Sequence, residues 1–379
     1  MQKKLLLTPG PTPVPEDVLA AMARPIIHHR HEEFKGILAK VKEDLKYLFQ
    51  TSSDVLLFAA TGTGAMEGAV TNLLSPGDKA VVVRAGKFGE RWAEICQAYG
   101  VKVVPVDVPW GKAVDPADVK QALDREPDAR AVLIQASETS TAVRHPIREV
   151  AELVAQREQT VMVVDAITGI GVFDIPTDAW KLDVVVTGSQ KALMLPPGLA
   201  FASVSPKAWG FVKQSKLPRF YFDFAKEKKN LDKNQSAYTS AVSLVLGLQV
   251  ALERIKKEGL QNVFARTEKM ARATREGAKA LGLGLLAPES PSPACTAILL
   301  PAGIDGEKVP SLIRERYNVA VAGGQDRLKG KIVRISHMGY VQPYDILSGL
   351  AALELTLRDL GHPVKIGTSV QAALAVLSE

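Results

Sequence analysis

Lys191 stands in Gly188-Ser189-Gln190-Lys191-Ala192-Leu193, after the apolar run 182–187 and before Pro196-Pro197-Gly198. An ammonium group at the end of a buried strand bears the cost of desolvation unless it is paired or used chemically. One such use is a Schiff base with the aldehyde of pyridoxal phosphate. Upstream, Thr160-Val161-Met162-Val163-Val164-Asp165 reads as a buried strand ending in a carboxylate. A carboxylate there can keep a pyridine nitrogen protonated, which makes the ring an electron sink for an α-carbanion. It can equally cap the turn around Thr168 and Gly169. Further upstream, Ala60-Thr61-Gly62-Thr63-Gly64-Ala65-Met66-Glu67 joins an apolar strand to a helical pattern. Backbone N–H groups at such a helix start form a cradle for phosphate. The segment has neither a P-loop lysine nor the G-x-G-x-x-G spacing, which argues against ATP and dinucleotides.

A phosphate cradle, a ring-nitrogen carboxylate and a Schiff-base lysine, in that chain order, resemble the class V aminotransferases of fold type I. Within them the chain is most similar to the alanine–glyoxylate and serine–pyruvate/serine–glyoxylate branch. The likeness runs from Leu6-Leu7-Thr8-Pro9-Gly10-Pro11-Thr12-Pro13-Val14-Pro15 through His29-Arg30-His31-Glu32-Glu33-Phe34. It ends in Ala322-Gly323-Gly324-Gln325 and Arg334-Ile335-Ser336-His337-Met338-Gly339. The Ser-Gln-Lys-Ala and Arg-Ile-x-His-Met-Gly segments together carry most of its specificity.

That resemblance implies pyridoxal phosphate held by Lys191, with Asp165 at the ring nitrogen. It implies phosphate contacts from Thr63, Gly64 and Gln190, and Phe88 stacked on the ring where relatives often have tryptophan. Ala65 falls where some relatives have histidine, so it offers no polar side chain. Ser140 matches a hydroxyl facing the ring; a plain strand-end turn is the alternative. Thr239 matches a threonine that reaches the phosphate from the other subunit, which implies a homodimer with a shared active site. Arg334 matches the arginine that grips the substrate carboxylate, a task suited to a planar, bidentate guanidinium. The implied reaction is ping-pong transamination between a small amino acid, alanine or serine, and glyoxylate or pyruvate. Aspartate or 2-aminoethylphosphonate transamination, a cysteine desulfurase-like lyase and a non-enzymatic complex subunit remain alternatives. Pro293-Ala294-Cys295 resembles a desulfurase nucleophile loop only superficially, because Cys295 leads straight into an apolar strand.

These residues need a scaffold, and the apolar pattern describes one. Runs at 55–59, 80–83, 101–106, 131–136, 161–164, 184–186 and 199–204 alternate with helical patterns. That is the signature of an α/β fold with a mainly parallel seven-stranded sheet covered by helices. Ligands of such sheets lie beyond the carboxyl ends of the strands, where Thr63, Asp165 and Lys191 all fall. An amphipathic helix over 240–257 precedes a change of domain near Gly259. The expected organisation is an extended N-terminal arm (1–20), a large cofactor domain (21–258) and a small α+β domain (259–379) with strands at 296–300, 319–321 and 332–335.

Composition narrows the remaining classes. The 379 residues carry 47 Lys+Arg against 41 Asp+Glu, a net +6 spread along the chain, which gives no nucleic-acid footprint. The basic stretch 226–233 also holds Glu227 and Asp232 and is expected to be a solvated loop. Two cysteines make no disulfide framework and cannot supply the four thiolates of an iron–sulfur cluster. His28, His29 and His31 share no helical face, so no metal site is expected. No apolar run has membrane-spanning length, and neither a secretory nor a peroxisomal signal is legible, so the cytoplasm is the expected location.

Overall fold

The computed structural model describes residues 4–379; the first three residues of the expected arm lie outside the described residues. Each of the seven apolar runs forms a strand of one sheet. Its spatial order is Val55–Phe58, Ala200–Val204, Val184–Gly188, Val161–Asp165, Ala131–Gln135, Lys79–Arg84, Lys102–Asp107. Only Ala200–Val204 runs antiparallel to its neighbours; the other pairings are parallel. The central strands are valine-rich and buried along their whole length, as a sheet covered on both faces requires. Helices such as Gly62–Leu73 and Lys87–Ala98 follow strands directly, so their N-termini gather at the carboxyl edge of the sheet.

The basic stretch differs from expectation. Phe224–Leu231 is a helix whose N-cap Asp223 accepts from Lys226 N–H, and its own Phe224, Glu227 and Leu231 are buried. Val242–Glu258 and Leu260–Ala280 are long helices that meet at Gly259.

Beyond them lies a small antiparallel sheet of Cys295–Leu299, Ile332–Ser336 and Ala322–Gly323. The expected strand at 319–321 is divided: Val319–Ala320 pairs in parallel with Leu5–Leu6, and the chain rejoins the small sheet only at Ala322. Leu7, fully buried, is packed into the same core as Val319, Ile335 and Leu350. Burying these apolar side chains ties the start of the chain to its last third. From there the chain crosses over Lys191 and becomes helical at Glu16–Met22. A third small cluster joins Ala142, in the turn between the short paired strands Ser137–Glu138 and Val143–Arg144, to Cys295, Ala297 and Ile332 of the small sheet and to Leu328. No helix among the described residues is long and apolar enough to cross a membrane.

Candidate active site

Asp165 is the last residue of its strand and is almost fully buried. Its Oδ1 accepts from the backbone N–H of Ile167 at 2.9 Å. Burial pushes its pKa up to about 7, and the nearby Glu138 carboxylate adds to that, against the pull of the Ile167 N–H, Arg91 and Lys191. Lys191 follows the end of the Val184–Gly188 strand. Burial drives its pKa down to about 8, and Arg334 and Arg91 push the same way while Cys295 and Asp165 oppose them. Its Nζ donates to the Pro9 carbonyl, and its own carbonyl accepts from Thr12 Oγ1 at 2.7 Å. The N-terminal arm therefore lies across the lysine.

The cradle is more selective than the sequence indicates. Gly64 and Ala65 turn their N–H groups back onto the Thr61 carbonyl, at 2.8 and 3.4 Å. Gly62 and Thr63, the first two helical residues, keep N–H groups that find no acceptor among the described residues. Gly64 serves close packing: a Cβ there would meet Phe222 at 2.8 Å and Ala60 at 2.9 Å. The Ala65 methyl is wholly in the core. Beside this helix start, the buried Gln190 Oε1 has no hydrogen-bond partner among the described residues. A Cβ on Gly188 would lie 2.9 Å from that oxygen and 3.1 Å from the Gly62 nitrogen.

Arg334, on the Ile332–Ser336 strand, is 6% exposed yet forms no ion pair among the described residues. Its Nε and Nη2 donate to the Gly323 carbonyl at 3.1 and 2.9 Å, and Nη1 donates to the Thr139 carbonyl at 2.8 Å. A guanidinium has five N–H groups, so two stay available for an anionic ligand. Burial lowers its pKa from the usual arginine range. Cys295 Sγ donates to the same Thr139 carbonyl at 3.8 Å, and burial holds its thiol up at about 11, so it is no ready nucleophile.

Phe88 is half-buried and outside every hydrophobic core cluster, with the Arg91 guanidinium 4.9 Å from its ring centre. Ser140 is fully buried. Its Oγ donates to Glu138 Oε1 at 2.5 Å and accepts from Lys87 N–H at 3.0 Å. Thr239 stands apart from this group, exposed, beside Tyr221, Glu227 and Ser236. His337 is fully buried between Pro293 and Thr296, and burial drops its pKa to about 3. His31 caps the Glu32–Phe49 helix. No cluster of three or more metal-ligating side chains occurs among the described residues.

Two residues join the site without having been singled out from sequence. Arg91 donates to Thr63 Oγ1 at 3.2 Å and makes no ion pair with a carboxylate among the described residues. Glu138 gathers the backbone of the Lys87–Ala98 helix start. The signal for Arg91 was its position three after Phe88 on a helix, which places both on one face. Glu138 had no such signal, because its partners lie some 50 residues away.

Asp165, Lys191, the helix start at Gly62 and Arg334 offer the groups that pyridoxal-phosphate chemistry would call on. The class-V aminotransferase family model matches residues 5–346, and the chain belongs to that family; pyridoxal phosphate is its cofactor. The chain is 46% identical to the small subunit of a soluble hydrogenase of a Synechococcus species, over 99% of both chains. It is 40% identical to the L-aspartate–glyoxylate aminotransferase of Paracoccus denitrificans, over 97% of this chain and 94% of that one. The ureidoglycine–glyoxylate aminotransferase structure of Bacillus subtilis superposes with a TM-score of 0.95 at 28% identity, covering 100% of this chain and 99% of that one. The orphaned Gln190 amide and the free Gly62 and Thr63 N–H groups fit a phosphate, since rotating the amide presents a donor.

Proposed function

We propose that the chain transfers the amino group of a small amino acid, alanine or serine, to glyoxylate or pyruvate. One observation carries the reading: Lys191, its pKa lowered to about 8, shares one electrostatic environment with Asp165 and with an Arg334 that has donors to spare. When bound, pyridoxal phosphate supplies the electron sink that acidifies the substrate Cα–H. Lys191 Nζ is its point of attachment and, released by the incoming amine, the base that carries the Cα proton. Asp165 sustains the charge of the ring nitrogen. Arg334 receives the α-carboxylate and fixes the Cα–H bond for cleavage. Gly62, Thr63 and Gln190 hold the phosphate, and Phe88 and Ser140 wall the ring. Thr239 completes the phosphate site of a partner copy in a cytoplasmic homodimer.

A second donor has its own support. Arg91 is a second guanidinium bearing on Lys191 and has no carboxylate partner among the described residues. Aspartate, with a carboxylate at each end, would match two arginines, and a relative at 40% identity is named an L-aspartate–glyoxylate aminotransferase. The relative named as a hydrogenase subunit does not alter this reading: both cysteines here are buried, free thiols.

The test is a visible-absorbance titration of the purified, cofactor-loaded protein with alanine, serine, aspartate and 2-aminoethylphosphonate. Bleaching by one donor and recovery with glyoxylate is the expected result, and the relative responses rank the donors. A folded, loaded protein whose band responds to none of them would overturn the proposal.

A further inference from the structure

Glu138 lies at the centre of the site and has no part in the chemistry proposed above. It is completely buried and forms no ion pair among the described residues. Its carboxylate instead collects four hydrogen bonds. Oε2 accepts from the backbone N–H groups of Phe88 at 3.1 Å and Gly89 at 3.0 Å. Oε1 accepts from Ser140 N–H at 3.1 Å and from Ser140 Oγ at 2.5 Å. Ser140 Oγ in turn accepts from Lys87 N–H at 3.0 Å.

The first three N–H groups of the Lys87–Ala98 helix thus end on one carboxylate and the hydroxyl it holds. Those groups are the helix's orphan donors, and the N-cap residue, Gly86, has no side chain with which to serve them. A cap normally comes from the adjoining residue; here it comes from some 50 residues away. The glycine is what admits it, since a Cβ on Gly86 would lie 2.5 Å from Glu138 Cγ and Cδ and from Ser140 Oγ.

Burying a carboxylate without a cation is costly, and the helix N-terminus offsets only part of that cost. A serine or aspartate at the N-cap would close the helix more simply. What the distant cap adds is a rigid link between two elements. Phe88 hangs on one side of the carboxylate and Ser140 on the other. We propose that Glu138 is a positioning residue whose carboxylate locks the Phe88 ring and the Ser140 hydroxyl into one preformed wall against which the cofactor ring seats. This rests on the reading of Phe88 and Ser140 as cofactor neighbours.

The experiment compares wild type with Glu138→Gln, Phe88→Ala and the double variant. Cofactor-free protein is titrated with pyridoxal phosphate, and both the dissociation constant and the circular dichroism induced in the visible band are read. Glutamine keeps only one accepting oxygen and puts an NH2 donor in place of the other, so Glu138→Gln should weaken binding about tenfold or more, the scale of one charge-assisted hydrogen bond, and shrink the induced signal. Because Glu138 acts partly through Phe88, the double variant should fall well short of the product of the two single effects. Gly86→Ala intrudes on the same carboxylate while keeping its charge and should reproduce the loss; it carries the test if Glu138→Gln does not fold. A folded Glu138→Gln with wild-type affinity and dichroism overturns the proposal, as do fully multiplicative effects. If wild type itself takes up no cofactor, the proposed function falls as well, which separates the two failures.

Discussion

A β-carbon on Gly10 would stand 2.0 Å from Lys191 Nζ, and the preceding carbonyl, of Pro9, accepts that ammonium's hydrogen bond. Gly10 also has φ +125°, a region that L side chains rarely adopt. The arm is thus fitted to the lysine by the absence of a side chain. Gly10→Ala should destabilise the cofactor-free protein by about 1–3 kcal/mol. Calorimetry with and without cofactor checks this, and a smaller loss in the loaded protein is expected once Lys191 is engaged elsewhere.

Lys191→Met should abolish the visible band of the loaded protein and lower turnover by a factor on the order of 10²–10⁴ or more. It should also change the pH dependence of stability. In the folded chain Lys191 titrates near 8, against 10.5 ordinarily. Between those values the unfolded chain binds the extra proton, so this group makes stability rise with pH across that window. Below it, a charged Lys191 is a burden that methionine removes. Thermal unfolding should therefore show cofactor-free Lys191→Met gaining on wild type at pH 7, with the gain fading towards pH 10.

Arg334→Lys keeps a charge and loses the fork. Losing a bidentate carboxylate contact of about 1.5–3 kcal/mol should raise the donor KM roughly 10- to 100-fold. The Thr139 and Gly323 carbonyls would also lose donors, so a fall in melting temperature should accompany the kinetic change. A KM shift without any loss of stability would contradict the hydrogen bonding described here.

A shared active site can be tested by mixing inactive subunits. Thr239→Glu would set a carboxylate against the partner's phosphate, and Lys191→Ala removes the attachment point. A mixed dimer of the two has one site in which both native residues meet. Refolding an equal mixture should recover about a quarter of wild-type activity if subunits pair at random across a twofold interface. Thr239→Glu that is fully active alone would remove Thr239 from the site.

The parts of this fold legible in sequence were those written in local pattern. Seven runs such as Val161–Asp165 and Val184–Gly188 announce buried strands through composition alone, and their carboxyl ends locate Asp165 and Lys191. What escaped was long-range. Nothing local in Leu5–Leu6 indicates pairing with Val319–Ala320. Glu138 reads as an ordinary polar residue until the Lys87–Ala98 helix is brought against it. The basic 226–233 stretch reads as a loop on charge alone, although Ala225, Lys226, Glu227 and Leu231 are good helix formers; the Asp223 cap and the buried Phe224 and Leu231 fix it as a helix. The strand-to-helix turn at Thr61–Gly64 is legible along the chain, yet which of its N–H groups lack an acceptor among the described residues depends on how tightly its first turn winds.

Arg334 joins Gly323 on the small sheet to Thr139 beside the large one while keeping donors free between them. The side chain that would recognise the substrate is thereby also a rivet between two parts of the molecule. Mutational drift at that position would slacken the joint before it could offer a new preference. If Arg334 grips the carboxylate as proposed, new substrates would be reached by remodelling other walls of the pocket.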